Sequence, residues 1–267
     1  MEINSKIELI AEIGWNSMGN INLAEDMIAA AKYSGADYAK FQTWKVDNLK
    51  PGPWDTDGRR EIYEKAELSE EDHYLLKDIC DKYKIKFLTS CFNLSDLDFI
   101  RKLSSEVKIP GVECRNKELV DKAIEKFDRV FLSTGTTALK EVPNVQSDKV
   151  VLMHCVSCYP CPPELVNMTR MIKMKELFDC PIGYGGHYQG IWDAVLAVQN
   201  GAKVIEKHFT TDNSLPGRDN KFALLPEDFV KIREFANESE RMMSLNSYDY
   251  LPQEQEARDV YTGRWSG

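Results

Sequence analysis

Short apolar runs bounded by turn residues recur along the chain, with segments of helical hydrophobic period between them. Strand-length runs fall at Ile7–Ile13, Tyr38–Gln42, Lys86–Thr89, Val107–Val112, Arg129–Ser133, Val150–His154, Ile182–Tyr184 and Ala202–Glu206, eight in all. Helical patterns occupy Leu23–Ser34, Ser69–Tyr83, Leu94–Leu103, Lys117–Phe127, Pro163–Phe178, Ile191–Gln199 and Pro226–Met243, and one short helix is expected near Ala138–Glu141. The strands look buried on both faces, as parallel strands are. Their alternation with helices predicts a parallel sheet, and eight units predict closure into a (β/α)8 TIM barrel of the α/β class. The length of 267 residues suits one such domain. Asn22 and Ser69 read as helix N-caps, Ser69 with Asp72 three residues on.

Two segments break the alternation. Residues 43–68 form a long polar connection containing Pro51-Gly52-Pro53-Trp54, and such a connection is usually an active-site lid or disordered. Residues 244–267 form a polar tail with scattered Tyr248, Tyr250, Tyr261 and Trp265. The expected division is a barrel over 1–243 and a tail over 244–267.

Composition narrows the class. Hydrophobic residues make up 43% and charged residues 29%, the balance of an ordinary globular chain, and the net charge of −9 argues against nucleic acid or an anionic membrane as partner. No apolar run reaches the ~20 residues of a membrane span, and the start lacks an apolar signal core. Seven cysteines, an odd number lying mostly in apolar runs, suit reduced thiols and a cytoplasmic location.

The chemistry gathers at strand ends, where parallel barrels place their active sites. Three of the four histidines, His154, His187 and His208, follow strand-like runs, and imidazole is a common divalent-metal ligand. Other strand-end groups are Glu12 and Asn16, Lys40 and Gln42, Ser90, Lys108 and Glu113, Ser133 with Thr134 and Gly135, and Ser157 with Tyr159. Two lysines, several hydroxyls and glycine-rich turns suit a phosphate or carboxylate. Taken singly, most have a bland reading: His154 a satisfied core group, His73 a solvated helix residue, Lys40 a partner of Asp37 or Glu12, Glu206 and Lys207 neighbours in one structural ion-pair network. Their joint placement on one rim shifts the odds. Cys155-x-x-Cys158-x-x-Cys161 has metal-cluster spacing, with Cys114, Cys180 or His154 as a fourth ligand, but the prolines at 160, 162 and 163 favour a stiff loop instead.

These residues resemble the sialic acid (N-acetylneuraminate) synthase family from about residue 7 to about residue 240. The resemblance is carried by Ala11-Glu12-Ile13-Gly14-Trp15-Asn16, Lys40-Phe41-Gln42-Thr43, Leu132-Ser133-Thr134-Gly135, His154-Cys155 with Tyr159-Pro160, Gly201 through Thr210 with Glu206-Lys207-His208-Phe209, and Leu215-Pro216-Gly217-Arg218-Asp219. It implies a barrel that condenses phosphoenolpyruvate with the aldehyde of an open-chain amino sugar and releases phosphate. It also implies a divalent ion, Mn2+ or Mg2+, as Lewis acid. Carried over, His187 and His208 would be metal ligands, while Lys40 and Lys108 would hold the phosphoenolpyruvate anion. Ser133 would join the phosphate site and Tyr159 line the pocket. Glu12 and Asp219 would bind sugar hydroxyls or support the metal, and Glu113 would activate water. Asn16, Gln42 and Ser157 join the expected substrate-binding set.

The departures are specific. The family's Tyr-Lys-Ile-Gly-Ser-Gly-Glu run has Gly111 in place of its serine, and its Gly-Tyr-Ser-Asp-His run reads Gly183-Tyr184-Gly185-Gly186-His187. Ser17 and Ser157 replace other polar residues. Family members carry a C-terminal antifreeze-like domain and an N-terminal hairpin, and neither is expected here. Arg218, or Arg258 and Arg264 in the tail, would substitute for the cation that domain supplies. A homodimer is the family-level expectation. Two alternatives stay open: an aldol or lyase barrel using another keto-acid donor, and a non-catalytic sugar- or metabolite-binding subunit.

Overall fold

The computed structural model describes residues 6–145, 147–245 and 247–267. Eight strands, β1 (Glu8–Glu12), β2 (Tyr38–Thr43), β3 (Lys86–Cys91), β4 (Glu106–Ile109), β5 (Arg129–Ser133), β6 (Val150–Cys155), β7 (Ile182–Gly186) and β8 (Val204–His208), close into a barrel in sequence order. Every neighbouring pair is parallel, and β8 closes on β1 with Glu12 opposite His208. The (β/α)8 expectation holds.

The helices are α1 (Ile21–Tyr33), α2 (Arg59–Ala66), α3 (Glu70–Tyr83), α4 (Leu97–Leu103), α5 (Lys117–Lys126), α6 (Met168–Leu177), α7 (Trp192–Gln199), α8 (Pro226–Met242) and α9 (Gln255–Tyr261). Ser69 caps α3 in a box with Asp72, as expected. Asn22 does not cap α1: Asn20 does, its side chain accepting from Leu23 N at 3.2 Å, so Asn22 lies inside the helix. Between β5 and β6 the described residues form a 3-10 turn, Leu139–Glu141, and no α-helix. The expected fourth strand is cut short because Pro110 ends it and Gly111–Glu113 turns as 3-10 helix.

Ile10, Tyr38, Leu88, Phe131, Val151, Met153 and Val204 fill the barrel interior. The larger core lies between sheet and helices. Strand side chains alternate, so the interior also receives Glu12, Lys40, Ser90, Ser133, Cys155 and Glu206, each two residues past one of these positions, and Lys108, two past Glu106. The strands' neighbours in sequence face the helices instead. No helix among the described residues is long and apolar enough to cross a membrane.

Candidate active site

At the C-terminal end of the strands lies a cavity of about 960 Å3, at the upper end of the range for small-molecule sites. Its floor is a buried ionic cluster. Lys40 Nζ lies 2.6 Å from Glu12 Oε2 and 3.4 Å from Glu206 Oε1, and donates to Ser90 Oγ at 2.9 Å. Lys108 Nζ closes the cluster against Glu206 Oε2. Glu12 Oε2 has ion contact with Lys40 but lacks an aligned hydrogen bond, and it is buried. Burial alone would raise the Glu206 carboxyl, yet the ammonium groups of Lys108 and Lys40 outweigh it and hold it below the usual carboxylate range. Burial would likewise lower Lys40, but Glu12 and Glu206 lift it above its ordinary value. Lys40 enters the site as a fixed cation.

The second half of the rim is histidine-rich. The His187 and His208 ring centroids are 5.5 Å apart, and the Tyr159 ring packs at a 42° tilt with its centroid 4.0 Å from that of His187. His187 Nδ1 donates to Val156 O at 2.6 Å, which leaves Nε2 as the ring's lone pair. Burial, aided by the neighbouring His208, drops its pKa to about 3, which favours the neutral imidazole. Asp219 Oδ2 lies 3.8 Å from His208 Nδ1 and accepts from Trp15 Nε1 at 2.6 Å. The Arg218 guanidinium stands 5.9 Å from the Tyr159 ring centre.

The structure therefore brings together Glu12, Lys40, Gln42, Lys108, Glu113, Ser133, Ser157, Tyr159, His187, His208, Arg218 and Asp219, all lining one cavity. Asn16 is different. Its buried amide donates to Phe209 O at 2.8 Å, and its backbone carbonyl accepts from Asn220 Nδ2 at 3.0 Å, so it braces the exit of β8 and does not line the cavity. His154 faces the helices. Its Nε2 bonds Val166 O at 2.9 Å, and its Nδ1 lies 3.3 Å from Arg170, which in turn holds the carbonyls of Thr134 and Thr137. It is a strut behind the rim, as the bland reading had it. His73 is not solvated. It is buried between Ser69 O at 2.7 Å and Thr43 Oγ1 at 2.9 Å, because its side of α3 packs on the barrel.

Glu206 is the residue the sequence reading misplaced. Glu206 and Lys207 do not share one network, since adjacent residues point to opposite faces. Glu206 enters the cavity floor. Lys207 turns outward, buried against Asp193 at 2.8 Å and Tyr188 O at 2.7 Å. A side chain on Gly186 would put its Cβ 2.2 Å from Asp193 Oδ2. The carboxylate that the family pattern has at 186 is thus replaced in space by Asp193 from α7.

The cysteines do not converge. Cys155 is inside the rim, while Cys158 and Cys161 bond carbonyls of their own loop. Among the described residues no group of three or more His, Cys, Asp or Glu is placed to hold a metal. Gly111 is packed for glycine: a Cβ there would meet Gly135 N at 2.8 Å. Gly185 differs, its nearest neighbour being Cys155 Cβ at an ordinary 3.5 Å.

Fold and floor together define a closed (β/α)8 barrel with a buried ionic cluster at the C-terminal mouth of its strands. The comparison with known sequences is narrower. The NeuB family pattern matches residues 27–247, and the chain belongs to this family, that of the sialic acid synthases. It is 36% identical over 258 residues to the N,N'-diacetyllegionaminic acid synthase of Legionella pneumophila, covering 88% of this chain and 72% of that protein. It is 28% identical over 264 residues to human N-acetylneuraminate-9-phosphate synthase, covering 91% and 73%. The crystal structure of N-acetylneuraminic acid synthetase from Leptospira borgpetersenii, a citrate complex, superposes with a TM-score of 0.87 at 27% identity, covering 98% of this chain and 94% of that one.

Proposed function

We propose that this chain condenses phosphoenolpyruvate with the aldehyde of an open-chain amino sugar, giving a sialic-acid-like ulosonic acid and inorganic phosphate. The observation that carries this reading is the Lys40–Glu206–Lys108 cluster, buried in the same cavity as His187, His208 and Asp219. Two fixed ammonium groups suit the carboxylate and phosphate of a trianionic donor. Ser90, Ser133 and Ser157 add hydroxyls beside them. In the reaction the methylene carbon of the donor forms a bond to the aldehyde carbon. Water then adds at the former enol carbon, and the C–O bond to phosphate breaks. Glu113, on the rim and bonded by Asn116 Nδ2 at 3.0 Å, is the proposed acceptor of the water proton.

The residues fit a divalent cation with few protein ligands. His187 presents a free Nε2 on a ring whose other nitrogen is fixed, and His208 faces it with Asp219 alongside. Mn2+ or Mg2+ tolerates such a sparse set because it keeps waters or takes substrate oxygens. When bound, it would polarise the aldehyde. The chain's own part is to hold both reactants over one floor, keep Lys40 charged, and fix the His187 ring by its Nδ1 hydrogen bond.

The test is phosphate release from phosphoenolpyruvate with Mn2+ across a panel of aldoses and amino sugars, with His187→Ala as control. Metal-dependent release with a sugar, lost in the control, supports the reading. Folded protein that binds Mn2+ and phosphoenolpyruvate yet releases no phosphate with any sugar overturns it.

A further inference from the structure

Cys158 and Cys161 form a C-x-x-C pair that the condensation chemistry does not use. They flank the bend at Tyr159 and Pro160, in the loop that follows β6. The three thiols of this region do not meet at one point, but these two share one bend. Cys155 is set apart, because it lines the cavity while Cys161 packs into the core between sheet and helices. Access also differs within the pair. Cys158 is half-buried and does not line the cavity; Cys161 is buried. Each sulfur is held only by a weak bond inside its own loop, Cys158 Sγ donating to Pro160 O at 3.4 Å and Cys161 Sγ to Pro162 O at 3.6 Å. Burial, and then the charge of Cys158, raise the Cys161 thiol, so the two sulfurs lie within each other's field.

The same loop clamps His187. At its start Val156 O accepts from His187 Nδ1 at 2.6 Å, and at its end Cys161 N donates to His187 O at 2.8 Å. Between these bonds the Tyr159 ring lies 4.0 Å from the His187 ring, 6.2 Å from His208 and 6.1 Å from Phe222, centroid to centroid. A change of shape over residues 158–161 therefore reaches both histidines of the rim.

We propose that Cys158 and Cys161 are a redox-modification site: a dithiol that small-molecule disulfides convert to a Cys158–Cys161 disulfide, loosening the loop's hold on His187. The accessible Cys158 thiolate attacks one sulfur of the oxidant, forming a mixed disulfide and releasing one small thiol. The Cys161 thiolate then attacks the Cys158 sulfur, forming the protein disulfide and releasing the second small thiol. The protein gives up two protons and two electrons, and the oxidant's S–S bond takes them up. Bringing the sulfurs to about 2.0 Å draws each away from its carbonyl, so the bend that carries Tyr159 re-forms around the new bond. The consequence for activity rests on the condensation reading above; the disulfide itself does not.

The experiment incubates the full chain with reduced or oxidised glutathione, blocks the remaining thiols and maps disulfides by peptide mass. His187 is followed through its imidazole NMR signal, assigned with His187→Ala, and through Mn2+ affinity in calorimetry. Expected in oxidised glutathione is a Cys158–Cys161 disulfide that dithiothreitol reverses, together with a shifted His187 signal. Mn2+ affinity and phosphate release should fall roughly ten-fold, as when a ligand's supporting contacts are lost. Cys161→Ser should stop at a glutathione adduct on Cys158. Cys158→Ser should keep the activity of the reduced protein and lose the whole response. Thiols that stay reduced, a disulfide made through Cys155 or another cysteine, or an unchanged His187 signal in the oxidised chain each overturn the proposal. If the reduced protein releases no phosphate with any sugar, the condensation reading fails separately, and peptide mass and the His187 signal still decide this one.

Discussion

The two ends of the barrel carry the same charges in different surroundings. At the N-terminal end, Glu8 and Glu106 face Lys86 and Arg129 around the Tyr38 hydroxyl, which donates to Glu8 at 2.9 Å and accepts from Lys86 at 2.9 Å. At the C-terminal end, Glu12 and Glu206 face Lys40 and Lys108. Each set has two carboxylates and two cations. The Lys86 side chain is 57% exposed, whereas the Lys40 and Lys108 side chains are 2% and 3% exposed. Water reaches the first set through Lys86, so the Lys86 pairs contribute little, although Glu8, Glu106 and Arg129 are only 20%, 18% and 26% exposed. The second set is desolvated, and each charge there depends on its partners. Charge count alone does not make a site; removal from water, with one side left open to a ligand, does.

Lys108→Met should break this asymmetry most severely. It removes one of two cations for the donor and leaves Glu206 with Lys40 alone, so phosphate release should fall by roughly 10²–10³ or more, read in steady-state assays at saturating sugar. A next step concerns the buried pair behind β8. Asp193→Asn strips Lys207 of its counter-charge and should cost about 3–5 kcal/mol in urea unfolding. Gly186→Asp in the native background should also destabilise, since its Cβ would lie 2.2 Å from Asp193 Oδ2. Combining it with Asp193→Ala should recover part of the loss.

Acid pH sharpens the comparison through His154. Burial lowers its pKa to about 4, so the unfolded chain, with a histidine near 6.5, binds the extra proton between these values. More protons on the unfolded state mean that stability falls as pH drops from about 6.5 to about 4 and levels below. That gap corresponds to on the order of 3 kcal/mol. His154→Gln should flatten that part of the pH–stability curve in calorimetry at matched ionic strength. Next come the two glycines of the rim. Gly111→Ser pushes against the Gly135 backbone and should cost about 1–3 kcal/mol, while Gly185→Ser should leave the melting temperature nearly unchanged. Smallest of all, Lys86→Met at the screened end should alter stability by less than about 1 kcal/mol and leave phosphate release unaffected; a large loss of activity there would remove the distinction between the two ends.

Much of this was legible from the chain. Apolar runs of strand length between helical periods fix the order of units, and the short connections of parallel β–α pairs leave few other closures. Lys40, Lys108, His187 and His208 stand just where strands end, so their convergence follows from the fold. Glu206 and His154 show where that legibility stops. Barrel strands are buried on both faces, so hydrophobicity does not tell which of Glu206 and Lys207 points inward, or that His154 points out. Those answers depend on the register of closure, which sets Glu12 opposite His208 and Gly185 opposite Glu206. His73 is similar: a polar helix start says nothing of the Thr43 hydroxyl that comes to meet it. The sequence by itself determined eight parallel units and a polar rim, because period and turn chemistry are local. Only the tertiary structure decided which side chains lose water together, that Tyr63 packs between Trp15 and Trp44, and that Asp193 fills the space beside Gly186, because those outcomes depend on contacts between residues far apart in the chain.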